Sequence, residues 1–260
     1  MAADDTVLTT RQGAIVTITM TRPAVLNAVD VEMADRLRGA FEAVENDVRV
    51  VILRGAGRSF MAGADLSAFK ARFDEAPAIA TGLIDRFHAA LTRIKSMPQP
   101  VIAAVQGAVA GGGLGLALAC DLVVAADNAK FVPAYTRLGT SPDAGTTASL
   151  TRLLGHRRAL KFILLNEPMD AATAMALGLV NDVVAAAELD AAVDALAGRL
   201  AEASVGASRN VKRLVQEALV SRFDTQLDLE KELFVACSST ADFREGVTAF
   251  LEKRRPHFHD

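Results

Sequence analysis

Two glycine-containing loops carry backbone N–H groups that could bind a negatively charged atom. The first loop spans residues 59–66 (SFMAGADL), and the second spans residues 107–115 (GAVAGGGLG). Each follows a predicted strand and leads into a predicted helix, whose first N–H groups lack partners inside the helix. Small side chains let a ligand approach the backbone, and the positive end of the helix dipole favours an anion. Both loops are therefore candidate anion sites, although a tight turn without a ligand would need the same glycines.

A nucleotide phosphate is one anion that the second loop could hold. The loop lacks the Gly-Lys-Ser/Thr ending of a P-loop, however. It matches a dinucleotide-binding fingerprint only loosely, because it follows the third predicted strand and no suitable acidic residue plainly comes after it. Neither loop identifies its ligand by itself.

Four side chains could take part in proton transfer or in binding. Asp143 follows Pro142, where either a catalytic acid or an ordinary turn residue explains an aspartate. Asp65 is well placed to cap the helix after the first loop. Tyr135, the sole tyrosine, could donate a hydrogen bond to a substrate or fill a pocket wall. His88 lies on a helix predicted at residues 83–94, where a partly exposed histidine is the ordinary explanation.

Composition excludes several classes of function. The net charge of −3 gives no basic face for a nucleic acid. The two cysteines and four histidines show no metal-ligand spacing, so no metal is expected. Residues 1–10 are acidic and polar, unlike a signal or transit peptide. Glycines, Gln106 and Asp121 interrupt the longest apolar stretch, residues 100–126, so no membrane span is expected. We expect a cytoplasmic protein.

Hydrophobic periodicity predicts an α/β fold. Strands are predicted at 14–20, 48–53, 101–105 and 122–125, with helices and glycine turns between them, which indicates crossover connections. Helical periods dominate after residue 155, at 158–165, 171–177, 187–203, 207–220 and in one amphipathic stretch at 227–253. We therefore divide the chain into a mixed body, residues 1–203, and a helical region, residues 204–260.

The two loops together resemble the crotonase (enoyl-CoA hydratase/isomerase) superfamily. The resemblance rests on residues 54–66 (RGAGRSFMAGADL) and 102–126 (IAAVQGAVAGGGLGLALACDLVVAA), and extends from 21–29 (TRPAVLNAV) to 244–258 (REGVTAFLEKRRPHF). It implies a spiral of repeated ββα units and a C-terminal helical region that forms homotrimers, often paired into hexamers. The implied substrate is an acyl-CoA thioester, so coenzyme A enters with the substrate and no separate cofactor is expected.

The resemblance also assigns residues to the site. It makes the N–H groups of Ala64 and Gly112 the oxyanion hole for a thioester enolate, where one donor is typically worth about 3–4 kcal/mol. The substrate-binding residues that it implies are Arg22, Ala24, Val25, Ala62, Asp65, Leu66, Tyr135, Phe250 and Lys253. The last two correspond to positions that contact the nucleotide end of coenzyme A, often from a neighbouring subunit.

The sequence departs from the family where hydratases carry two glutamates. Those positions are Gly115 and Tyr135 here, which puts ordinary hydration of a 2-enoyl-CoA in doubt. Asp143 instead resembles the acid of members that shift a double bond in an enoyl-CoA, and of the isomerase that opens ring-epoxidised phenylacetyl-CoA. One carboxylate suffices for an allylic proton shuttle. We therefore predict an isomerase with Asp143 as base and acid.

Three alternatives stay open from the sequence. A hydratase could use Asp143 alone or with Tyr135. An aryl-CoA dehalogenase or thioester hydrolase could use Asp143 as a nucleophile, with His88 in the region where the dehalogenases keep a catalytic histidine. Finally, some members without the usual glutamates bind acyl-CoA without catalysis.

Overall fold

A computed structural model describes residues 5–258, which form two sheets and eleven α-helices. The strands are β1 (Val7–Gln12), β2 (Ile15–Met20), β3 (Val50–Gly55), β4 (Val101–Val105), β5 (Ala108–Ala110), β6 (Leu122–Ala126), β7 (Lys130–Val132), β8 (Met169–Asp170) and β9 (Asp182–Val184). The helices are α1 (Val31–Glu42), α2 (Ser67–Ala71), α3 (Ala76–Ser96), α4 (Gly112–Ala119), α5 (Thr146–Leu154), α6 (His156–Leu165), α7 (Ala171–Ala176), α8 (Leu189–Ala201), α9 (Val205–Glu217), α10 (Phe223–Ser238) and α11 (Ala241–Leu251).

The larger sheet is mostly parallel and covered on both faces. Its strand order is β1-β2-β3-β4-β6-β9, in which only the β1–β2 pair is antiparallel. The side chains of β4 are buried at every position, as expected for a strand between two helical layers. Helices α1, α3 and α4 lie on one face, and α8 covers the other. The four strands predicted from the sequence are confirmed as β2, β3, β4 and β6.

The smaller sheet makes the fold a spiral. Its order is β5-β7-β8, and an isolated parallel bridge joins Met61 to Val109 of β5. Successive turns of the chain thus contribute a strand to the large sheet, a short pairing segment to the small one, and a helix. The first such turn is β3, Met61 and α3; the next two are β4, β5, α4 and β6, β7, α5. This confirms the spiral of repeated ββα units that the resemblance implied.

The C-terminal helices pack on this body through a largely buried ion pair. The predicted division after residue 203 falls in the connection between α8 and α9. Lys212 of α9 contacts Asp121 at 2.7 Å and donates to the carbonyls of Ile94 and Gln99, both at 3.0 Å. The single stretch predicted at 227–253 is two helices instead. The reason is Thr240, whose hydroxyl caps α11 by accepting the N–H of Phe243.

Within residues 5–258, none of the helices is long and apolar enough to cross a membrane. The same residues contain no group of three or more histidines, cysteines, aspartates or glutamates arranged to hold a metal ion.

Candidate active site

The register of the small sheet brings the two candidate oxyanion donors to equivalent places. Met61 and Val109 are paired, and Ala64 and Gly112 each follow their paired residue by three positions. The two loops touch at their glycines: a Cβ built on Gly111 would lie 3.6 Å from the Cα of Gly63. Both glycines have positive φ, +104° at Gly63 and +52° at Gly111, which a larger residue rarely adopts.

Each donor is held by its surroundings. Gly112 begins α4, so its N–H has no acceptor within the helix. Ala64 lies three residues before α2, rather than at a helix start. Its neighbours are fixed by Val29, which donates to the carbonyl of Gly63 and accepts the N–H of Asp65, both at 2.8 Å. The N–H of Ala64 therefore faces away from Val29. Neither the Ala64 nor the Gly112 N–H donates a hydrogen bond to any described residue.

The third turn of the spiral has an equivalent N–H, which is already hydrogen-bonded within the protein. Phe131 of β7 pairs with Val109, and Ala134 follows it by three positions. The N–H of Ala134 donates to the side-chain Oδ1 of Asn166 at 2.6 Å. Two of the three equivalent donors, Ala64 and Gly112, thus remain available to an oxyanion.

These donors line a cavity of about 1010 Å³ with largely apolar walls. One side is a face of α3 formed by Ala76, Pro77, Ala80, Leu83, Ile84 and Phe87. Ala62 and Leu66, which the resemblance assigns to substrate binding, line it from the first loop, and Leu138 lines it as well. A large apolar cavity with a few polar groups is the usual form of a small-molecule site.

Asp143 supplies the negative charge in this cavity. It is the sole carboxylate among the cavity-lining residues of the described chain. Its Oδ1 accepts a hydrogen bond from the hydroxyl of Tyr135 at 2.5 Å, while its Oδ2 has no hydrogen-bond partner among residues 5–258. Burial, followed by the charge of Asp143, raises the pKa of Tyr135 above its ordinary value. Tyr135 therefore stays protonated and acts as a donor.

The main chain is unusual on both sides of this pair. Ala134, before Tyr135, has a φ of +66°, and Ala144, after Asp143, has a φ of +53°. Non-glycine residues in this conformation cost of order 1–2 kcal/mol and persist where the surroundings enforce them. At Ala144 the restraint comes from His88, whose Nε2 accepts the Ala144 N–H at 3.1 Å. His88 is exposed and does not line the cavity.

Gly115 is closed to any larger side chain. A Cβ at this position would lie 2.6 Å from both the Cβ and the carbonyl oxygen of Ala144, and 3.0 Å from Oγ1 of Thr146. All three distances are at or below the shortest separation that real Cβ atoms tolerate. The segment that carries Asp143 therefore fills the space that a side chain at Gly115 would need.

Arg22 and Asp65 form a structural ion pair outside the cavity lining. The Arg22 guanidinium lies 3.0 Å from both Asp65 and Asp30. Asp65 Oδ1 accepts the N–H of Ser67 in the turn before α2, but the N-cap position belongs to Leu66, so the prediction that Asp65 caps this helix is wrong. Hydrogen bonding from Ser67 and then Arg22 lowers the pKa of Asp65. Both charged groups are thus occupied within the chain.

The other predicted binding residues lie away from the cavity of a single chain. Ala24 and Val25 form a 3-10 turn that does not line it. Phe250 lies on α11 and is 81% exposed, and Lys253 follows the helix with a φ of +56°. The resemblance expected the last two to act from a neighbouring subunit, and that remains a prediction.

The spiral and the paired donors define a crotonase-type acyl-CoA enzyme, and comparison with known proteins agrees. A model of the enoyl-CoA hydratase/isomerase family matches residues 10–260. The crystal structure of an enoyl-CoA hydratase from Polaromonas sp. JS666 superposes with a TM-score of 0.94 at 36% identity, covering 97% of this chain and 99% of that one. The protein belongs to the enoyl-CoA hydratase/isomerase family.

Curated relatives carry both kinds of name. A probable enoyl-CoA hydratase of Rhodobacter capsulatus is 40% identical over 241 residues, 93% of each chain. The 1,2-epoxyphenylacetyl-CoA isomerase of Escherichia coli K12 is 39% identical over 248 residues, 94% of each chain. The family is thereby established, and the choice between hydration and isomerisation depends on the site itself.

Proposed function

We propose that the protein is an enoyl-CoA isomerase that shifts a double bond by a single-carboxylate proton shuttle. The observation that carries the proposal is the combination at Asp143: one carboxylate in an apolar cavity, with the space around Gly115 filled by Ala144 and Thr146. A hydratase of the usual kind needs a second carboxylate where Gly115 stands, and no such side chain fits there.

The proposed reaction starts from a 3-enoyl-CoA. The free Oδ2 of Asp143 removes a proton from the α-carbon, and the electron pair moves onto the thioester oxygen. The N–H groups of Ala64 and Gly112 stabilise that negative charge, as an oxyanion hole does. Asp143 then returns the proton to the γ-carbon, the electrons move back, and the double bond becomes conjugated with the thioester.

Two acyl classes suit the apolar cavity. A linear enoyl chain would lie along the face of α3. A phenylacetyl-derived ring, including a ring epoxide, is the second class, supported by the 39% identical relative named 1,2-epoxyphenylacetyl-CoA isomerase. In both cases coenzyme A arrives as part of the substrate.

The alternatives have less support from the geometry. Nucleophilic displacement or thioester hydrolysis assisted by His88 is disfavoured because Nε2 of His88 is occupied by the Ala144 N–H outside the cavity lining. Hydration by Asp143 with Tyr135 would need the Tyr135 hydroxyl, which already donates to Asp143. A role limited to binding would not explain why two unpaired N–H groups and an unpaired carboxylate oxygen line the same cavity.

A spectrophotometric assay tests the proposal. The wild-type protein should convert a 3-enoyl-CoA to the conjugated thioester, with rising absorbance, and Asp143→Asn should lower kcat at least about a hundredfold. Asp127→Asn is the matched control, because Asp127 is exposed and its carboxylate has no partner among the described residues. Absence of turnover across linear and ring substrates, or full activity in Asp143→Asn, would contradict the proposal.

We further propose that the protein assembles as a homotrimer or a pair of trimers, as the family resemblance implies. Large apolar side chains are exposed on the C-terminal helices, including Phe223, Phe234 and Phe250 at 79%, 66% and 81%. Exposed apolar surface of this kind is typical of an interface. Light scattering should give the mass of three or six chains, and a monomer would contradict the proposal.

A further inference from the structure

We propose that Tyr135 is a positioning residue that holds one oxygen of Asp143, so that the other oxygen alone exchanges the substrate proton. This inference rests on the proposed isomerase function, in which Asp143 exchanges a proton with the substrate. The bond itself, from the Tyr135 hydroxyl to Oδ1 of Asp143 at 2.5 Å, belongs to the protein whatever the reaction.

The hydroxyl of Tyr135 has one proton, which it donates in a hydrogen bond to Asp143. Its contact with Oγ1 of Thr146, at 3.5 Å, is at the long limit for a hydrogen bond. Tyr135 is 8% exposed, so bulk water competes little for its donor. A hydrogen bond to a carboxylate is stronger than one between neutral groups. Tyr135 therefore serves Asp143, and its hydroxyl has no second proton for a thioester oxygen.

Both ends of this contact are held at the main chain by side chains from distant helices. Ala134, immediately before Tyr135, donates its N–H to Asn166 at the end of α6. Ala144, immediately after Asp143, donates its N–H to His88 of α3. The two left-handed alanines are thus restrained by separate elements. The tyrosine and the carboxylate keep their relative position without help from a substrate.

This arrangement makes the two oxygens of Asp143 unequal. An unrestrained carboxylate rotates and presents either oxygen, whereas Asp143 has Oδ1 held by Tyr135 and Oδ2 without a partner among the described residues. A shuttle that removes a proton at one carbon and delivers it two carbons away benefits from a base fixed within reach of both. Tyr135 supplies that restraint without contacting the reacting atoms.

Titration of the tyrosine tests the contact independently of catalysis. The chain has one tyrosine and no tryptophan, so tyrosinate absorbance reports on Tyr135 alone. Because the charge of Asp143 raises the pKa of Tyr135, Asp143→Asn should lower the pH at which this absorbance appears. Asp127→Asn should leave it unchanged. Circular dichroism at each pH shows whether ionisation precedes unfolding.

Kinetics test the positioning role. Tyr135→Phe removes only the hydroxyl and should lower kcat about tenfold while KM stays within about twofold, since the lost bond acts on the base and not on the thioester. The variant should also lose the wild-type fall in stability at high pH. A tyrosine with a raised folded pKa stabilises the protein below its ordinary value of about 10, and this contribution is lost as the pH rises above it.

Two results would overturn the inference. One is the same ionisation midpoint for Tyr135 in wild type and Asp143→Asn while both proteins keep the circular dichroism of the folded state. The other is full kcat in Tyr135→Phe. If no enoyl-CoA is isomerised but the titration shifts as expected, the proposed function fails while the Tyr135–Asp143 contact stands and serves another reaction of the same carboxylate.

Discussion

The oxyanion pair arises from residues at matched positions in successive turns of the spiral. Ala64 and Gly112 keep free N–H groups, whereas the third equivalent, Ala134, donates to Asn166. That difference is chemically useful. The third turn supplies Tyr135 and Asp143 to the same cavity, so in the proposed reaction two turns provide charge stabilisation and the third provides proton transfer.

In the proposed function, Gly115 is the residue that distinguishes this site from that of a two-carboxylate hydratase. Gly115→Glu should destabilise the protein by about 1–3 kcal/mol, because even its Cβ would lie 2.6 Å from two atoms of Ala144. Urea unfolding measures the change. The matched control is Gly39→Glu on α1, where nothing lies within 4 Å of a built Cβ. A stable Gly115→Glu variant that gained hydratase activity would contradict this account of the site.

At the residue scale the sequence predicted the positions of the chemistry better than the contacts between them. The sequence identified Asp143 and Tyr135 as candidates but did not predict their hydrogen bond. That bond depends on positive φ angles at Ala134 and Ala144, which an alanine in a sequence does not indicate. Alanine, unlike glycine, has no preference for positive φ. Restraints from Asn166 and His88, which are distant in sequence, create that geometry.

Among the elements, α3 shapes the cavity. Its apolar residues recur at helical spacing along residues 76–87, and this face spans roughly 16 Å at the helical rise per residue. The sequence predicted the helix at residues 83–94 but missed its first two turns, since Ala76, Pro77 and Ala80 give a weak apolar signal. Small residues there leave space for an acyl group, which periodicity alone does not reveal.

Filling that space should change substrate choice. Ala80→Trp would place an indole in the middle of the α3 face, so activity on long or ring-bearing acyl groups should fall at least about tenfold while short enoyl-CoA thioesters are retained. Initial rates across an acyl-CoA series measure the effect. A control is Ala89→Trp, on the same helix but exposed and outside the cavity. Equal loss for all chain lengths would show that α3 does not bind the acyl group.

The anchor of α9 offers a prediction about stability. Lys212 is largely buried, and desolvation lowers its pKa despite the favourable charge of Asp121. Lys212→Met leaves Asp121 without its cation and should cost about 3 kcal/mol of unfolding free energy. Lys161→Met, an exposed lysine on α6 without an ion pair among the described residues, should change stability by less than about 0.5 kcal/mol. Equal effects would show that the pair does not anchor α9.

For the whole molecule, the sequence predicted the fold class well because the patterns are strong and local. Strands such as β4 are continuously apolar, and Asp30 caps α1 as its position before an apolar helical face predicts. The short strands β5, β7, β8 and β9 were missed, since two or three residues carry no periodicity. Of these, β5 carries the bridge between Met61 and Val109 that sets Ala64 and Gly112 at equivalent positions. The spiral thus depends on pairings between short strands that the sequence pattern does not indicate.

In the proposed reaction Asp143 removes an α-hydrogen, and the N–H groups of Ala64 and Gly112 stabilise the enolate that forms. Proton NMR in D2O measures this step directly, as loss of the α-hydrogen signal of a 3-enoyl-CoA. Wild type and Asp127→Asn should exchange or transfer this hydrogen at equal rates, and Asp143→Asn should be slower by at least about a hundredfold. Undiminished exchange in Asp143→Asn, with coenzyme A affinity unchanged, would contradict the account.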